Sequence, residues 1–372
     1  MASAYSTKLA EGFSQRLLKE FYDRNLVDAI VNRDYEGEIN GVGSKLNILN
    51  FARIAEKTYD PTIGQNMTVD SLEENNAQLI IDQYKAFYWK ERTIDRWLSY
   101  IKNPHSTVVS QKADERSKNV DSFVFGLYPD VASGNRVGTD YTTGTVTVDV
   151  TTGAVTGNGT TFTSAMVGRG FKATGHSSWY RIKTFTNATS IVIEDDLDDV
   201  TSAYTGGAIG AGATYTVEAN TALSITTANL LQNVANLKQK LDEAEANTKS
   251  TVPDSDRWLI VPPNFENTLV RASGITLHVP DVYQELVKKG FITMLQGFKV
   301  FKSNRLTGDN TDGFRVLAGH PNWCTFAEKM LDVGIEDLIG NFGSAYKDLF
   351  VYGAKVTDSR RHFATEGFWT FA

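Results

Sequence analysis

From Tyr141 to Glu218 the chain changes character, and both borders of the change lie inside it. The stretch is built from Thr, Gly, Val and Ala, and its only basic residues are Arg169, Lys172, Arg181 and Lys183. On either side the sequence is richly charged, aromatic and partly helical in pattern. Such a shift implies one folding unit inserted into another, so the residues before and after must build a single host around the guest. Within the stretch, Thr145 to Val150 alternates apolar and polar at period two, as a half-buried strand does. The alternation returns at Tyr180–Lys183, Ser190–Ile193 and Thr214–Val217, between glycine-rich turns. Short alternating strands without a helical pattern predict a small all-β unit over residues 141–218, an Ig-like sandwich or a barrel.

The host mixes periods. Leu9, Phe13, Leu17 and Phe21 recur every four residues, with Leu18, Tyr22, Leu26 and Ile30 beside them, so residues 7–30 read as an amphipathic helix with a broad apolar face. That face must be covered by its own domain or by a neighbouring subunit. Leu46 to Ile54 reads as a strand, and Gln78 to Trp89, dense in β-formers, as a second. Joined by a polar stretch they make a long hairpin whose exposed edges invite pairing with another chain. Asn103-Pro104 is a helix start, and Val109, Ala113, Arg116, Val120, Phe123 and Leu127 give one seam to about Tyr128. After the insert, Thr226 or Thr227 is expected to cap a helix carrying Leu230, Val234, Leu237, Leu241 and Ala244. Trp258–Val261 reads as a buried strand stopped by Pro262-Pro263, followed by a short helix from Phe265 to Arg271. Gly297–Phe301, Phe314–Ala318 and Phe350–Lys355 are further strands. The host is therefore α+β.

Chemistry is sparse. The five histidines (His105, His176, His278, His320 and His362) show no metal-ligand spacing, and no CxxC, phosphate loop or nucleophile elbow is present. No catalytic, cofactor-binding or metal-binding residue is expected, and the role is read as non-enzymatic. The single cysteine, Cys324, reads as a small buried hydrophobe. The acidic run Glu194–Asp199 lacks calcium-loop spacing and reads as a solvated hairpin end. Lys85, Lys90, Arg92 and Arg96 interleave with Tyr84, Phe87, Tyr88, Trp89 and Trp97, a pattern that can bind single-stranded nucleic acid. Asp82, Glu91 and Asp95 dilute it, and a charged sheet face is the better reading. A formal net charge of −7 argues against a broad phosphate-binding face. No secretory leader and no apolar run of membrane-spanning length is read, so a soluble protein made in the cytoplasm is expected.

Taken in order, the host segments resemble the major capsid protein of tailed bacteriophages, the Hong Kong 97-type capsid fold. Asn32–Ile39 with its following glycine-rich turn resembles the entry to the extended loop, and Leu79–Phe87 leading into Thr93-Ile94-Asp95 its returning strand. The helix after Pro104 resembles the spine helix. Leu241–Ala244, with Val252-Pro253 and Arg257–Pro263, is similar to the peripheral-domain helix and strand. Gly297–Asn304 and Tyr352–Val356 resemble the last strands. The resemblance implies an N-terminal arm (residues 1–34), then extended loop, returning strand and spine helix (35–140). An inserted β domain (141–218) and the remaining peripheral and axial domains (219–372) follow.

It also implies a job. Copies would assemble as hexamers and pentamers into an icosahedral shell enclosing double-stranded DNA without reading its sequence, with scaffolding, portal and decoration proteins as partners and no membrane contact. The virion capsid, made in the host cytoplasm, would be its location. Assembly contacts are expected at Leu9, Phe13, Leu17, Phe21, Tyr35, Lys57, Tyr59 and Trp89. Some members crosslink a loop lysine to a neighbouring asparagine. Lys45 and Lys57 lie in that region, but nothing singles out either, so no crosslink is expected. Two other readings stand beside this one. One is a phage tail tube or sheath subunit. The other is a carbohydrate-binding module using Trp179, Tyr180 and Tyr204 of the insert.

Overall fold

A computed structural model describes residues 26–34, 45–51, 74–93, 104–195, 203–248, 252–271, 294–338 and 342–371. Strands are numbered in chain order. β1 (Lys45–Phe51) and β2 (Glu74–Ile80) form an antiparallel hairpin from Lys45↔Ile80 to Phe51↔Glu74. β3 (Gln83–Arg92) belongs to another sheet. The expected single strand from Gln78 to Trp89 is thus two strands, and the break has a cause. Ile81 is buried with Leu46, Ile48 and Leu79 against Ala327 and Val351, which turns the chain between its two sheets. The Tyr84 hydroxyl then donates to the Ile81 carbonyl at 2.6 Å and holds the bend.

The first helix is Pro104–Phe125, followed by a 3-10 turn at Tyr128–Asp130, so it stops a few residues short of Tyr128. Its buried face runs Val109, Ala113, Ser117, Val120, Asp121, Val124 and Phe125, close to the expected seam but with two polar residues in it.

The Thr/Gly-rich stretch folds as one antiparallel sheet in the order β11-β6-β7-β10-β9-β8-β12-β5. Its strands are β5 (Thr139–Tyr141), β6 (Thr145–Val148), β7 (Ala154–Asn158), β8 (Gly170–Ala173), β9 (Tyr180–Asn187), β10 (Ser190–Asp195), β11 (Ile209–Ala213) and β12 (Tyr215–Thr221), after a two-residue β4 (Arg136–Val137). The register closes it into a barrel. β11 and β12 are one bent strand, and β5 with β6 is another running antiparallel to it: Thr139↔Thr221 and Tyr141↔Val217, then Val146↔Ala213 and Val148↔Ile209. On its other side β12 pairs with β8. Of the two all-β forms expected, the barrel is the one formed. Val146, Val155, Phe171, Ile182, Ile191, Tyr215 and Val217 fill its single core. Glu194 does not lie on a solvated hairpin end. It is buried, and it pairs with Arg181 at 2.9 Å and Lys183 at 3.2 Å.

The remaining strands build two sheets. One orders β13 (Leu223–Ile225), β20 (Ala364–Phe371), β17 (Phe314–Gly319), β14 (Trp258–Val261), β16 (Phe298–Lys302) and β15 (Met294–Leu295), with β4 also on β20. The second helix, Leu230–Thr248, and the third, Pro263–Arg271, cover one face through Leu230, Val234, Leu237, Leu241, Phe265 and Leu269. Asn229 organises the second helix's entry, its Oδ1 accepting the Thr226 N–H at 2.8 Å, where a threonine side-chain cap was expected. Because the first helix covers the opposite face, β14 is buried on both sides, Leu259 and Val261 one way, Trp258 and Ile260 the other. The other sheet, β18-β19-β3, pairs the long strands β18 (Thr325–Asp337) and β19 (Gly343–Lys355) with β3.

Candidate functional site

The three-stranded sheet carries an unsatisfied surface. Along β3, Phe87 and Trp89 turn inward and are half-buried, and Trp89 stacks on Tyr346 with ring centroids 5.2 Å apart. Tyr84, Ala86 and Tyr88 point the other way, and Tyr88 is 65% exposed. Ile80 is exposed at the end of β2, and Phe342, 84% exposed, stands where β19 begins. Among the described residues no strand pairs with the outer edge of β3. An exposed apolar face beside an open edge favours burial against another chain. Its chemistry is that of adhesion.

A second construction anchors residues 26–34. Residues 26–34 lie along the start of β18: the Asn32 N–H donates to the Cys324 carbonyl at 2.9 Å, and the Phe326 N–H to the Asn32 carbonyl at 2.9 Å. Arg33 pairs with both Asp28 and Glu328. Beneath this segment, Asp121 of the first helix takes Arg305 at 2.6 Å and faces the backbone N–H groups of Leu26 and Val27. Burial drives its carboxyl up to about 6, outweighing the Arg305 hydrogen bond and charge.

A third ties the barrel to the rest of the fold. Glu366 on β20 is fully buried among Arg136, Arg169 and Arg315, at 3.2, 3.0 and 2.9 Å. Arg136 also donates to Glu218 of β12 at 3.1 Å and to the carbonyls of Pro129, Val131 and Gly168. Glu218 accepts the Gly134 N–H at 2.6 Å. Arg315 lies over the Phe368 ring, 3.3 Å from its centroid. Arg169 and Glu218 come from the barrel; the others do not.

Of the expected contact residues, Trp89 is placed in a half-buried stack. Leu9, Phe13, Leu17, Phe21, Tyr35, Lys57 and Tyr59 lie outside the described residues. Tyr84 and Tyr88, read in the sequence only as members of a basic–aromatic cluster, are the exposed aromatics of that strand. Their alternation with Phe87 and Trp89 was the available sign. The Glu366 cluster was missed altogether: a lone carboxylate in an apolar strand hinted at burial, but its partners are remote in sequence. Tyr180 and Tyr204 are buried in the barrel core, where the Tyr204 hydroxyl meets His176 Nε2 at 2.8 Å, so they offer no stacking surface to a sugar. Among the described residues no group of three or more His, Cys, Asp or Glu could hold a metal ion. No helix among them is long and apolar enough to cross a membrane.

The fold is similar to that of a solved phage structure. The solved structure of Mycobacterium phage Che8 superposes with a TM-score of 0.54 at 17% identity, over 92% of this chain and 90% of that one. The capsid of cyanophage P-SCSP1u gives 0.48 at 13% identity, over 92% and 87%. The mature capsid of bacteriophage PhiM1 gives 0.49 at 11%, over 92% and 88%. No curated protein matches the chain. The family described as phage capsid protein matches residues 183–369, and the chain belongs to that family. It is a major capsid protein of the Hong Kong 97-type fold, and it self-assembles into the shell of the virion. The tail-subunit and carbohydrate-binding readings are not favoured.

Proposed function

We propose that copies of this chain assemble as hexamers and pentamers into a closed icosahedral shell around double-stranded DNA. The observation that carries this reading is the face of Ile80, Tyr84 and Tyr88 beside the edge of β3, which no strand among the described residues pairs. A single chain leaves that surface in water; a lattice of copies buries it. The contacts are assigned to the arm through Leu9, Phe13, Leu17 and Phe21, to the loop through Tyr35, Lys57 and Tyr59, and to Trp89. The net charge of −7 suits a wall that encloses a genome without gripping it or reading its sequence. Scaffolding, portal and decoration proteins are the expected partners, synthesis is in the host cytoplasm, and the role is structural and not catalytic.

The domain borders follow the same reading: arm 1–34, loop to spine helix 35–140, inserted β domain 141–218, remainder 219–372. Barrel pairing that runs from Thr139 to Thr221 supports the insert's limits to within a few residues. Negative-stain microscopy of the purified chain, alone and after removal of residues 1–30, tests the proposal. Closed shells from the full chain and a folded, unassembled protein from the truncation are expected. Helical tubes from the full chain, or normal shells from the truncation, would refute it.

A further inference from the structure

We propose that the outer edge of β3 is completed by β18 of a second copy of this chain, set beside it head to tail so that one sheet continues from copy to copy. The inference rests on the shell-forming role of the chain and names the surface that meets β3. β18 is the opposite edge of the same sheet, in the order β18-β19-β3. Among the described residues its outer side is bridged only at Thr325, by Asn32. The two edges differ in charge. On the face that carries Tyr84 and Tyr88, β3 ends in Lys90 and Arg92. Both are exposed, and among the described residues neither lies within ion-pair distance of a carboxylate. On the same face β18 presents Asp332 and Glu336, with side chains 64% and 53% exposed. These two carboxylates share the single ammonium of Lys347, at 3.9 and 2.5 Å. One edge is therefore basic and the other acidic.

The levels along the strands agree as well. Both edge strands run antiparallel to β19, so they run parallel to each other. Ala345 of β19 lies between Lys90 and Glu336, Lys347 between Tyr88 and Gly334, and Leu349 between Ala86 and Asp332. A copy brought alongside without a shift along the strands sets its Glu336 beside Lys90, with Arg92 diagonal to it, and its Gly334 beside Tyr88. Opposite charges at such cross-strand positions stabilise a sheet, and like charges destabilise it. A glycine inside a strand marks a place of close approach, and an aromatic ring laid across an edge glycine covers its backbone. Tyr88, 65% exposed, supplies that ring. Charge also disfavours the two-fold alternatives. β3 against β3 brings together two strands that each carry Lys85, Lys90 and Arg92 against one Glu91. β18 against β18 brings acid to acid. The head-to-tail contact generates rings when its rotation closes, as capsomers require.

A charge swap tests the pairing. K90E/R92E should keep the wild-type melting temperature, because neither side chain makes an ion pair among the described residues. E336K should nearly keep it, because it gives up only an exposed pair, which contributes little. Each should raise the protein concentration for half-assembly about tenfold, and K90E/R92E/E336K in one chain should bring it back to within about threefold of the wild type. Folded variants that assemble at the wild-type concentration would overturn the pairing. So would a combined variant that assembles no better than K90E/R92E. A cysteine pair tests the same contact without reversing a charge. Within one chain positions 90 and 336 are two strand spacings apart, about 10 Å, too far for a disulfide, whereas in the proposed contact they sit on adjacent strands about 5 Å apart. Oxidised shells of K90C/E336C should therefore give a ladder of up to about six linked chains on a non-reducing gel, and K90C alone should give none. The native Cys324 is buried and takes no part. Linked dimers from K90C alone would overturn the head-to-tail order in favour of β3 against β3. Shells of K90C/E336C without linked chains would overturn the contact while leaving the assembly reading intact. Failure of the wild type to form any particle would overturn both.

Discussion

Arg169 Nη1 lies 3.0 Å from both carboxylate oxygens of Glu366, joining a barrel loop to β20, which is flanked by β13 and β17 inside its sheet. Glu366 also takes Arg136 and Arg315, so three guanidinium charges face two enclosed carboxylates, Glu366 and the Glu218 that pairs with Arg136. Truncating one partner of such a group leaves uncompensated buried charge, typically at a cost of about 3–5 kcal/mol. Glu366→Gln should lower stability by about that amount in urea unfolding. Arg169→Met should cost less, because Arg136 and Arg315 still hold the carboxylate. A Glu366→Gln variant as stable as the wild type would show that the cluster is dispensable.

Two buried groups make opposite demands over the same pH range. Asp121 is raised to about 6 by burial. A raised carboxyl favours the folded state while it is protonated, so its contribution is full below pH 4 and is lost as pH rises through about 6. Its size is about 3 kcal/mol from the shift. His362 is lowered by burial to about 4. A lowered imidazole favours the folded state while it is neutral, so its contribution is present above its ordinary value of 6.5 and fades as pH falls toward 4. Asp121→Asn should therefore steepen the loss of stability on acidification between pH 6.5 and 4, and His362→Gln should reverse its sign. Melting temperatures of the two variants across that range, compared with wild type, decide it; parallel curves would exclude both assignments.

Much of this architecture can be read from residues that obey one local rule. Trp258–Val261 is apolar on both faces because helices cover both, and that shows in four adjacent residues. The barrel strands show their alternation for the same reason. What escapes the sequence depends on distant partners. β18 carries Glu328, Lys329, Asp332 and Glu336 over part of its length, and so lacks a strand's usual composition although β19 pairs along it. β20 hides a carboxylate in an apolar run. The kink at Ile81 exists only because β1 and β19 claim successive halves of one β-rich stretch. The candidate surface was legible in part, as alternating aromatics along β3, but which alternate set faces solvent depends on where the first helix lies.

Cys324 should be inert in the native protein. It is fully buried, its Sγ is 3.7 Å from the Thr325 carbonyl, and burial pushes its thiol well above the ordinary range, where the reactive thiolate is scarce. An aromatic disulfide reagent should label no thiol under native conditions and one per chain in guanidinium. Rapid native labelling would mean that the junction between residues 26–34 and β18 opens readily.

Gly353 sits on β19 opposite Ala327, directly beneath the turn from β2 to β3. A Cβ there would lie 2.5 Å from the Ile80 carbonyl oxygen and 3.2 Å from the Ile81 Cα. Both obstacles are backbone, so no side chain can rotate away. Gly353→Ala must lift the β1–β2 hairpin off the sheet or shift β19, and overpacking of this kind costs about 1–3 kcal/mol. The strain should be felt locally, because Leu46, Ile48, Leu79 and Ile81 form a small cluster separate from the main core. Amide hydrogen exchange at Leu46 and Ile48 should accelerate by about ten- to a hundredfold, while Leu259 and Ile260 in β14 change little. The same variant should assemble poorly, because the displaced strand carries Ile80 and leads into Tyr84 and Tyr88. Unchanged exchange at the hairpin would show that the contact is slack. Faster exchange with normal shells would separate the hairpin's seating from assembly and leave the arm as the principal contact.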